Sequence, residues 1–234
     1  MGRGAQWATI TATTILEAIH MITARLMSTS DLLTLMRWLS PAFPLGSFAY
    51  SSGLAQAHAE GVLNSQEDLS KALTYLVTQG SVWVDAVTLS EALDGQDMRA
   101  EALALAASSE RAQEVLDQGR AFQKTLATSD GIELAAGPYL PLLGEAARDL
   151  ELSKSTVIAA YLQAYVANLV TIAVRLIPLG QSQGQAVLKE LEPVITRTSE
   201  RAVNSSIEDA GSSSFAFDCM SMDHEAQEVR LFRS

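Results

Sequence analysis

The chain has 234 residues, and 48% of them are hydrophobic. This composition predicts a globular protein with a sizeable core and excludes a disordered chain. The 27 acidic and 16 basic side chains give a net charge of −11. Because an acidic surface repels phosphate backbones, we expect no nucleic-acid partner, whereas a basic protein partner or plain solubility suits this charge.

The sequence carries no sign of export or of a membrane. Its single cysteine, Cys219, excludes an intrachain disulfide, and the N-terminus contains no convincing signal peptide. The longest apolar run, residues 156–174, approaches membrane-spanning length, but it contains Gln163 and Asn168 and is followed by Arg175. We therefore expect a helix buried inside a bundle, no membrane contact and a cytoplasmic protein.

Three parts are expected along the chain. Residues 1–29 have some helical spacing, and we expect a frayed or disordered extension, or in part an artefact of the start site. Residues 30–205 are expected to form a helical bundle. Residues 206–234 begin as a serine-rich linker and continue as a partner-binding tail. The fold class predicted is all-α, a single-domain bundle of roughly eight to ten helices with a flexible C-terminal tail.

A corner rich in proline and glycine, at residues 40–54, interrupts the helical pattern. Pro41 and Pro44 lack the backbone donor of a helical residue and restrict the residues before them, so the first helix must end there. Gly46 allows a turn with positive φ, and Ser47 is then expected to cap a new helix.

The new helix is expected to run from Ser47 to about Glu60. Phe48 would share one face of this helix with Ser51 and Ser52. Gly53 would leave a notch where another backbone or side chain comes close. Without further information, this segment is an ordinary helix–turn–helix corner filled with aromatic side chains.

Later helices have recognisable ends. Ser65 opens a capping box for the helix that follows it. Gly119 allows another segment to pack closely against its helix. The long apolar helix is expected to begin at Ser153 or Ser155 and to end at Pro178.

The usual chemical motifs are missing from the sequence. It contains no glycine-rich phosphate loop, and its three histidines, His20, His58 and His224, are far apart with no metal-ligand spacing. Cys219 and His224 are close enough to share a metal or to act as a nucleophile–base pair. Two ligands seldom hold a metal, and a tail lacks the rigidity that catalysis needs, so a structural or partner-contact role is favoured. We expect no catalytic residue, no cofactor and no metal site.

The C-terminal tail combines large apolar side chains with arginines, a composition typical of binding hot spots. Arg230 and Arg233 supply the forked donors. The tail can either pack back on its own bundle or fold on binding a partner. Its apolar members are Phe215, Phe217, Met220, Met222, Leu231 and Phe232.

Three blocks of the sequence resemble one protein family. The corner, Ser-Pro-x-x-Pro-x-Gly-x-Phe-x-Tyr-Ser-x-Gly-Leu at 40–54, is similar to the N-terminal motif of the UreF family of urease accessory proteins. Residues 173–181 resemble a second block of that family, and residues 224–225 with 230–234 resemble its C-terminal motif. The blocks follow the family's order and cover residues 31–234.

The resemblance implies an all-helical, generally dimeric scaffold with no cofactor or catalytic residues of its own. UreF proteins bind the accessory protein UreH, which many bacteria call UreD, and the pair recruits the GTPase UreG. This assembly delivers nickel to the urease apoprotein, and UreF has been viewed as a regulator of the GTPase step. The implied role is therefore that of a chaperone in nickel insertion and metallocentre assembly.

The resemblance also implies a set of residues that form a structural and partner-contact element, and this set includes Pro178 and Gly180. Many relatives have a glutamate directly after Gly-Leu, where this chain has Ala55, so the role of that carboxylate stays open. The implied partner-binding residues are Pro44, Gly46, Phe48, Tyr50, Ser51, Gly53, Leu54, Arg175, Gln181, His224, Glu225, Arg230, Leu231, Phe232, Arg233 and Ser234.

Two other protein classes are weighed against the scaffold. An all-α small-molecule enzyme, with a bundle like that of heme oxygenase or thiaminase, needs an inward-facing His, Cys or carboxylate pair. The long helix at 155–177 offers none of these. A helical transcription regulator needs a basic recognition helix, and none is visible.

Overall fold

The computed structural model describes residues 28–213 together with Phe217, Cys219, Met220, Met222 and Phe232. The part of the N-terminal extension before residue 28 therefore lies outside the described residues. So do Phe215 and six of the predicted partner-binding residues of the tail: His224, Glu225, Arg230, Leu231, Arg233 and Ser234.

The described chain is a bundle of nine α-helices with no strand, which confirms the predicted fold class. Short 3₁₀ turns occupy Ser47–Ala49 and Ile207–Asp209. The helices are α1 Thr29–Trp38, α2 Leu54–Ala59, α3 Gln66–Gln79, α4 Ser81–Leu93, α5 Arg99–Ala104, α6 Ser109–Ser129, α7 Tyr139–Ala147, α8 Lys154–Leu176 and α9 Gln181–Val203.

Serine caps begin the helices where the sequence predicts them. The Ser65 hydroxyl accepts a 3.1 Å hydrogen bond from the backbone N–H of Asp68, which confirms Ser65 as the N-cap of α3, and the Asp68 carboxylate accepts a 3.2 Å bond from the N–H of Asn64. The Ser153 hydroxyl accepts a 3.1 Å bond from the N–H of Thr156, so Ser153 rather than Ser155 caps α8. Pro193 lies inside α9, which continues through it as one helix.

The long apolar helix α8 is the axis of the bundle, and it contacts α1, α2, α3, α4 and α9. Leu162, Val166 and Leu169 on this helix are almost completely buried. By length and composition α8 is apolar enough to cross a membrane, and it alone meets that test in the described part of the chain. Half of its most apolar window is buried inside the bundle, and the core helix of a soluble protein passes the same test.

The helix predicted from Ser47 to Glu60 is wrong in its first half. The chain makes one 3₁₀ turn, becomes extended at Tyr50, and enters the left-handed region at Ser52 with φ 51° and at Gly53 with φ 81°. Two successive left-handed residues cannot continue a right-handed helix, so α2 begins only at Leu54. The predicted positive φ of Gly46 is confirmed at 73°.

As a consequence, the corner side chains do not share a helix face as predicted. Phe48 is 66% exposed whereas Ser51 is fully buried. Ser52 keeps its left-handed backbone although it is not a glycine. Its hydroxyl lies 2.6 Å from that of Tyr165 on α8, and this hydrogen bond holds it in place.

The serine-rich segment after α9 lies against the bundle, although its composition is typical of a linker. The indole N–H of Trp83 donates to the carbonyl of Asp209 at 3.1 Å. Ser213 is held twice: its N–H donates to the Gln79 carbonyl at 2.8 Å, and its carbonyl accepts from the Tyr75 hydroxyl at 2.7 Å. These bonds direct the chain from the end of α9 back across α3 and α4.

Candidate partner-binding surface

The corner is fixed to helix α8 by side-chain hydrogen bonds. The amide N–H of Asn168 donates to the carbonyl of Ser47 at 3.0 Å, and Ser52 bonds to Tyr165 one turn earlier on the same helix. Because both partners stand on one rigid helix, the corner has a defined position on the bundle.

Two described residues of the tail lie directly against the corner. A Cβ added to Gly53 would stand 3.3 Å from the carbonyl oxygen of Phe217 and 3.7 Å from the Cβ of Met220. Phe217 and Met220 are also packed against the buried core. The notch predicted at Gly53 is therefore real, and a tail segment 164 positions further along the chain fills it.

The second and third blocks also meet. The guanidinium carbon of Arg175 lies 5.8 Å from the ring centroid of Phe232, within the range of a cation–π contact. Phe232 is only 5% exposed, so this ring is part of the core. Arg175 stands in the last turn of α8, and the exposed Gln181 begins α9.

Segments far apart in sequence thus lie along the C-terminal half of α8. We call this region the partner surface and define it as residues 44–54, residues 175–181 and the tail residues Phe217, Met220 and Phe232. The order of the three blocks in sequence does not reveal this arrangement, because the arrangement depends on how the chain after α9 folds back onto the bundle.

The predicted residues of the partner surface divide into an outer and an inner set. Pro44, Phe48 and Arg175 are exposed. Four others are buried beneath them and hold the corner in shape, namely Tyr50, Ser51, Gly53 and Leu54. A partner in contact with this conformation would meet the outer set.

Beneath the corner lies a buried group of charges that the sequence analysis missed. Arg111 of α6 reaches Asp85 of α4, with Nη2 2.5 Å from Oδ2. Its other nitrogen, Nη1, is 2.8 Å from Oε2 of Glu114. The three side chains, which we call the charged cluster, are between 3% and 11% exposed.

Neighbouring polar side chains connect the charged cluster to the corner. The Tyr161 hydroxyl donates to Oδ2 of Asp85 at 2.7 Å, and the Gln118 amide donates to Oε1 of Glu114 at 2.9 Å. The Arg111 guanidinium lies 5.7 Å from the ring centroid of Tyr165, whose hydroxyl bonds to the corner at Ser52.

A signal for the cluster exists in the sequence. Asp85 is the single charge in the apolar stretch 82–89, and a carboxylate on a buried helix face needs a partner. Helix α8 contains no Asp or Glu, whereas Asp85 and Glu114 belong to α4 and α6.

Burial dominates the electrostatics of Glu114. It raises the pKa of this carboxyl above its ordinary value of 4.5, with Arg111 acting in the opposite direction. The folded protein therefore binds the Glu114 proton more tightly than the unfolded chain does. Stability from this group is complete below pH 4.5 and is lost as the pH rises through the raised folded value.

We expect the substitution Glu114→Gln to remove this pH dependence, because a glutamine has no proton to lose. Urea denaturation of both proteins, at a series of pH values from about 4.5 upward, measures the pH dependence of the free energy of unfolding. The difference in free energy of unfolding should shift in favour of the variant as the pH rises. A difference that stays constant across the series would contradict the burial of an ionisable Glu114.

No group of three or more His, Cys, Asp or Glu residues suited to a metal occurs in the described part of the chain. The ring Nδ1 of His58 is 2.9 Å from the carbonyl of Leu63, a local contact within the fold. Cys219 is partly exposed, and His224 lies outside the described residues. The role of the Cys219–His224 pair stays a prediction.

Comparisons with known proteins point to the same family that the sequence blocks resemble. The family model described as UreF matches residues 63–192. A "Urease accessory protein UreF" from Cereibacter sphaeroides is 42% identical over 206 residues, which cover 87% of this chain and 98% of the relative.

Proteins of the same name from two other bacteria are similarly related. The Dinoroseobacter shibae protein is 40% identical over 205 residues, covering 86% of this chain and 98% of its own. The Mesorhizobium japonicum protein is 40% identical over 218 residues, covering 88% and 98%. The chain therefore belongs to the UreF family of urease accessory proteins.

Proposed function

We propose that this protein is a non-catalytic scaffold for urease maturation. It binds a UreH/UreD-type accessory protein, and this pair recruits or regulates a UreG-type GTPase for nickel insertion into the urease apoprotein. The homodimer that the family resemblance implies belongs to the same proposal, as does a cytoplasmic location.

One observation carries the proposal: the convergence of the corner, the 175–181 block and the tail on one surface. Phe217 and Met220 lie against Gly53, and Phe232 lies against Arg175. Segments that are distant in sequence but adjacent in space thus form one composite surface, which suits recognition by another protein. The exposed Phe48 supplies an aromatic anchor of the kind that dominates binding energy.

The charged cluster favours a scaffold over the rival all-α enzyme. It does supply an inward-facing pair of carboxylates, but Arg111 lies between them, and Tyr161 and Gln118 donate to them. All of these partners belong to the protein itself, and a buried network of this kind destabilises a fold when one partner is removed.

The test is co-purification with a UreH/UreD-type protein. The full chain should bind, and a chain that ends before Gly211 should not, because it lacks the tail. Phe48→Ala should weaken binding at least tenfold as a lost aromatic anchor. The matched control is Leu103→Ala, another exposed apolar residue, on helix α5, which contacts α4 and α7 rather than α8.

The possible outcomes separate the parts of the proposal. Equal binding by the full and shortened chains would place the interface on the bundle and leave the tail as a self-packing segment. Loss of binding in Leu103→Ala but not in Phe48→Ala would put the interface elsewhere. Failure of the full chain to bind the UreH/UreD-type protein would contradict the scaffold function and favour the rival all-α enzyme.

A further inference from the structure

A cleft opens between the corner and α8, directly beside the charged cluster. Its cavity volume is about 60 Å³, enough for a few water molecules or one small polar molecule. Four of the chain's five tyrosines line it, and Glu114 and Gln118 lie on its wall. The tyrosines are Tyr50, Tyr139, Tyr161 and Tyr165.

The charges beside this cleft do not balance. Asp85 and Glu114 carry two negative charges when ionised, and Arg111 supplies one positive charge. The Glu114 side chain is only 3% exposed, and its Oε2 accepts no aligned hydrogen bond although Arg111 Nη1 is close. An excess buried negative charge is costly, and a positive group entering the cleft would offset it.

The lining favours a particular kind of cation. Aromatic rings attract ammonium-type cations through their π faces, and a carboxylate and neutral oxygens accept their N–H groups. A divalent metal needs several anionic or imidazole ligands, and the described residues offer no such group here. The small cavity excludes bulky cations.

We propose that this cleft binds an ammonium or small primary alkylammonium ion from solution, with Glu114 as its counter-ion. The ion enters between the corner and α8, lies among the tyrosines, and offsets the negative charge of Glu114 on the cleft wall. Because the corner forms one wall, an occupied cleft also ties the corner more firmly to the charged cluster.

Methylammonium chloride is the probe, followed by saturation-transfer NMR on its methyl protons at constant ionic strength. The full chain should give saturable transfer with a dissociation constant on the order of millimolar. Ammonium chloride should compete, whereas sodium chloride should not. Tetramethylammonium carries the same charge but has no N–H and is larger, so it should show no saturable binding.

Two variants locate the site by independent means. Glu114→Gln should weaken methylammonium binding at least tenfold, since it removes the counter-ion and keeps the side-chain size. Ala164→Leu should block the cleft by volume alone, because Ala164 lies on its wall. The matched control is Thr171→Leu, at an exposed position on the same helix, which should bind like the unmodified chain.

Three results would overturn the proposal. The first is no saturable transfer to the full chain, which would mean that a proton or nothing at all balances Glu114. The second is equal binding of tetramethylammonium, which would indicate general attraction to an acidic protein. The third is unchanged binding in a folded Ala164→Leu protein, and this variant decides the matter if Glu114→Gln does not fold.

Discussion

Replacing Arg111 with alanine is expected to lower the free energy of unfolding by about 3–5 kcal/mol, the range for breaking a buried ion pair. Arg111 is 11% exposed and lies within 2.8 Å of carboxylates from α4 and from its own helix α6. Without it, Asp85 and Glu114 would be two buried like charges with no counter-ion. The variant would also lose the guanidinium packed near Tyr165.

Urea denaturation followed by circular dichroism measures this effect. The matched control is Arg120→Ala on the same helix, because Arg120 is 65% exposed and pairs with Asp117 at the surface. A surface pair of this kind contributes less than about 1 kcal/mol. Similar losses of unfolding free energy in the two variants would show that the charged cluster is hydrated and contributes no more to stability than a surface ion pair.

The second large effect is expected at Gly119 in α6. A Cβ at this position would stand 2.0 Å from the carbonyl oxygen of Gly137, which is backbone and cannot rotate away. Gly119→Ala must therefore displace the segment that leads into α7. We expect a net loss of about 2 kcal/mol, although alanine favours a helix by about 1 kcal/mol over glycine.

The control for this substitution is Gly211→Ala, because a Cβ there would meet no atom within 4 Å. Thermal and urea unfolding of both variants give the comparison. Equal stability of Gly119→Ala and the unmodified chain would mean that α6 and the residue-137 segment are further apart than the structure places them. The sequence predicts close packing at Gly119 but does not reveal its partner.

Local signals explain why much of the fold was predictable. Serine caps at Ser65 and Ser153 and the proline after α8 act within a few residues of themselves, so their effects are legible in sequence. The apolar composition of α8 predicts its central position for the same reason. These features need no knowledge of distant contacts.

The corner was predicted incorrectly because its shape depends on tertiary contacts. Phe48 to Gly53 contains no proline, and helical spacing is a reasonable expectation for it. The hydrogen bonds from Tyr165 and Asn168 on α8 stabilise a left-handed Ser52 and a 3₁₀ turn instead. Residues more than a hundred positions away thus override the local preference.

The residues of the partner surface are predictable from the sequence, but their contacts with one another are not, because those contacts join distant segments. The family blocks identify the corner, Arg175 and the tail, but only the folded chain shows that Gly53 receives Phe217 and that Arg175 faces Phe232. The charged cluster was missed because its members come from different helices, with no motif spacing to link them.

Hydrogen–deuterium exchange of the free chain and of its complex with a UreH/UreD-type protein tests the central claim most directly. The account predicts slower exchange on binding in residues 44–54, in 175–181 and in the tail together, with α5 unchanged as an internal control. Protection confined to helices away from these three segments, or no complex at all, would contradict a single composite partner surface.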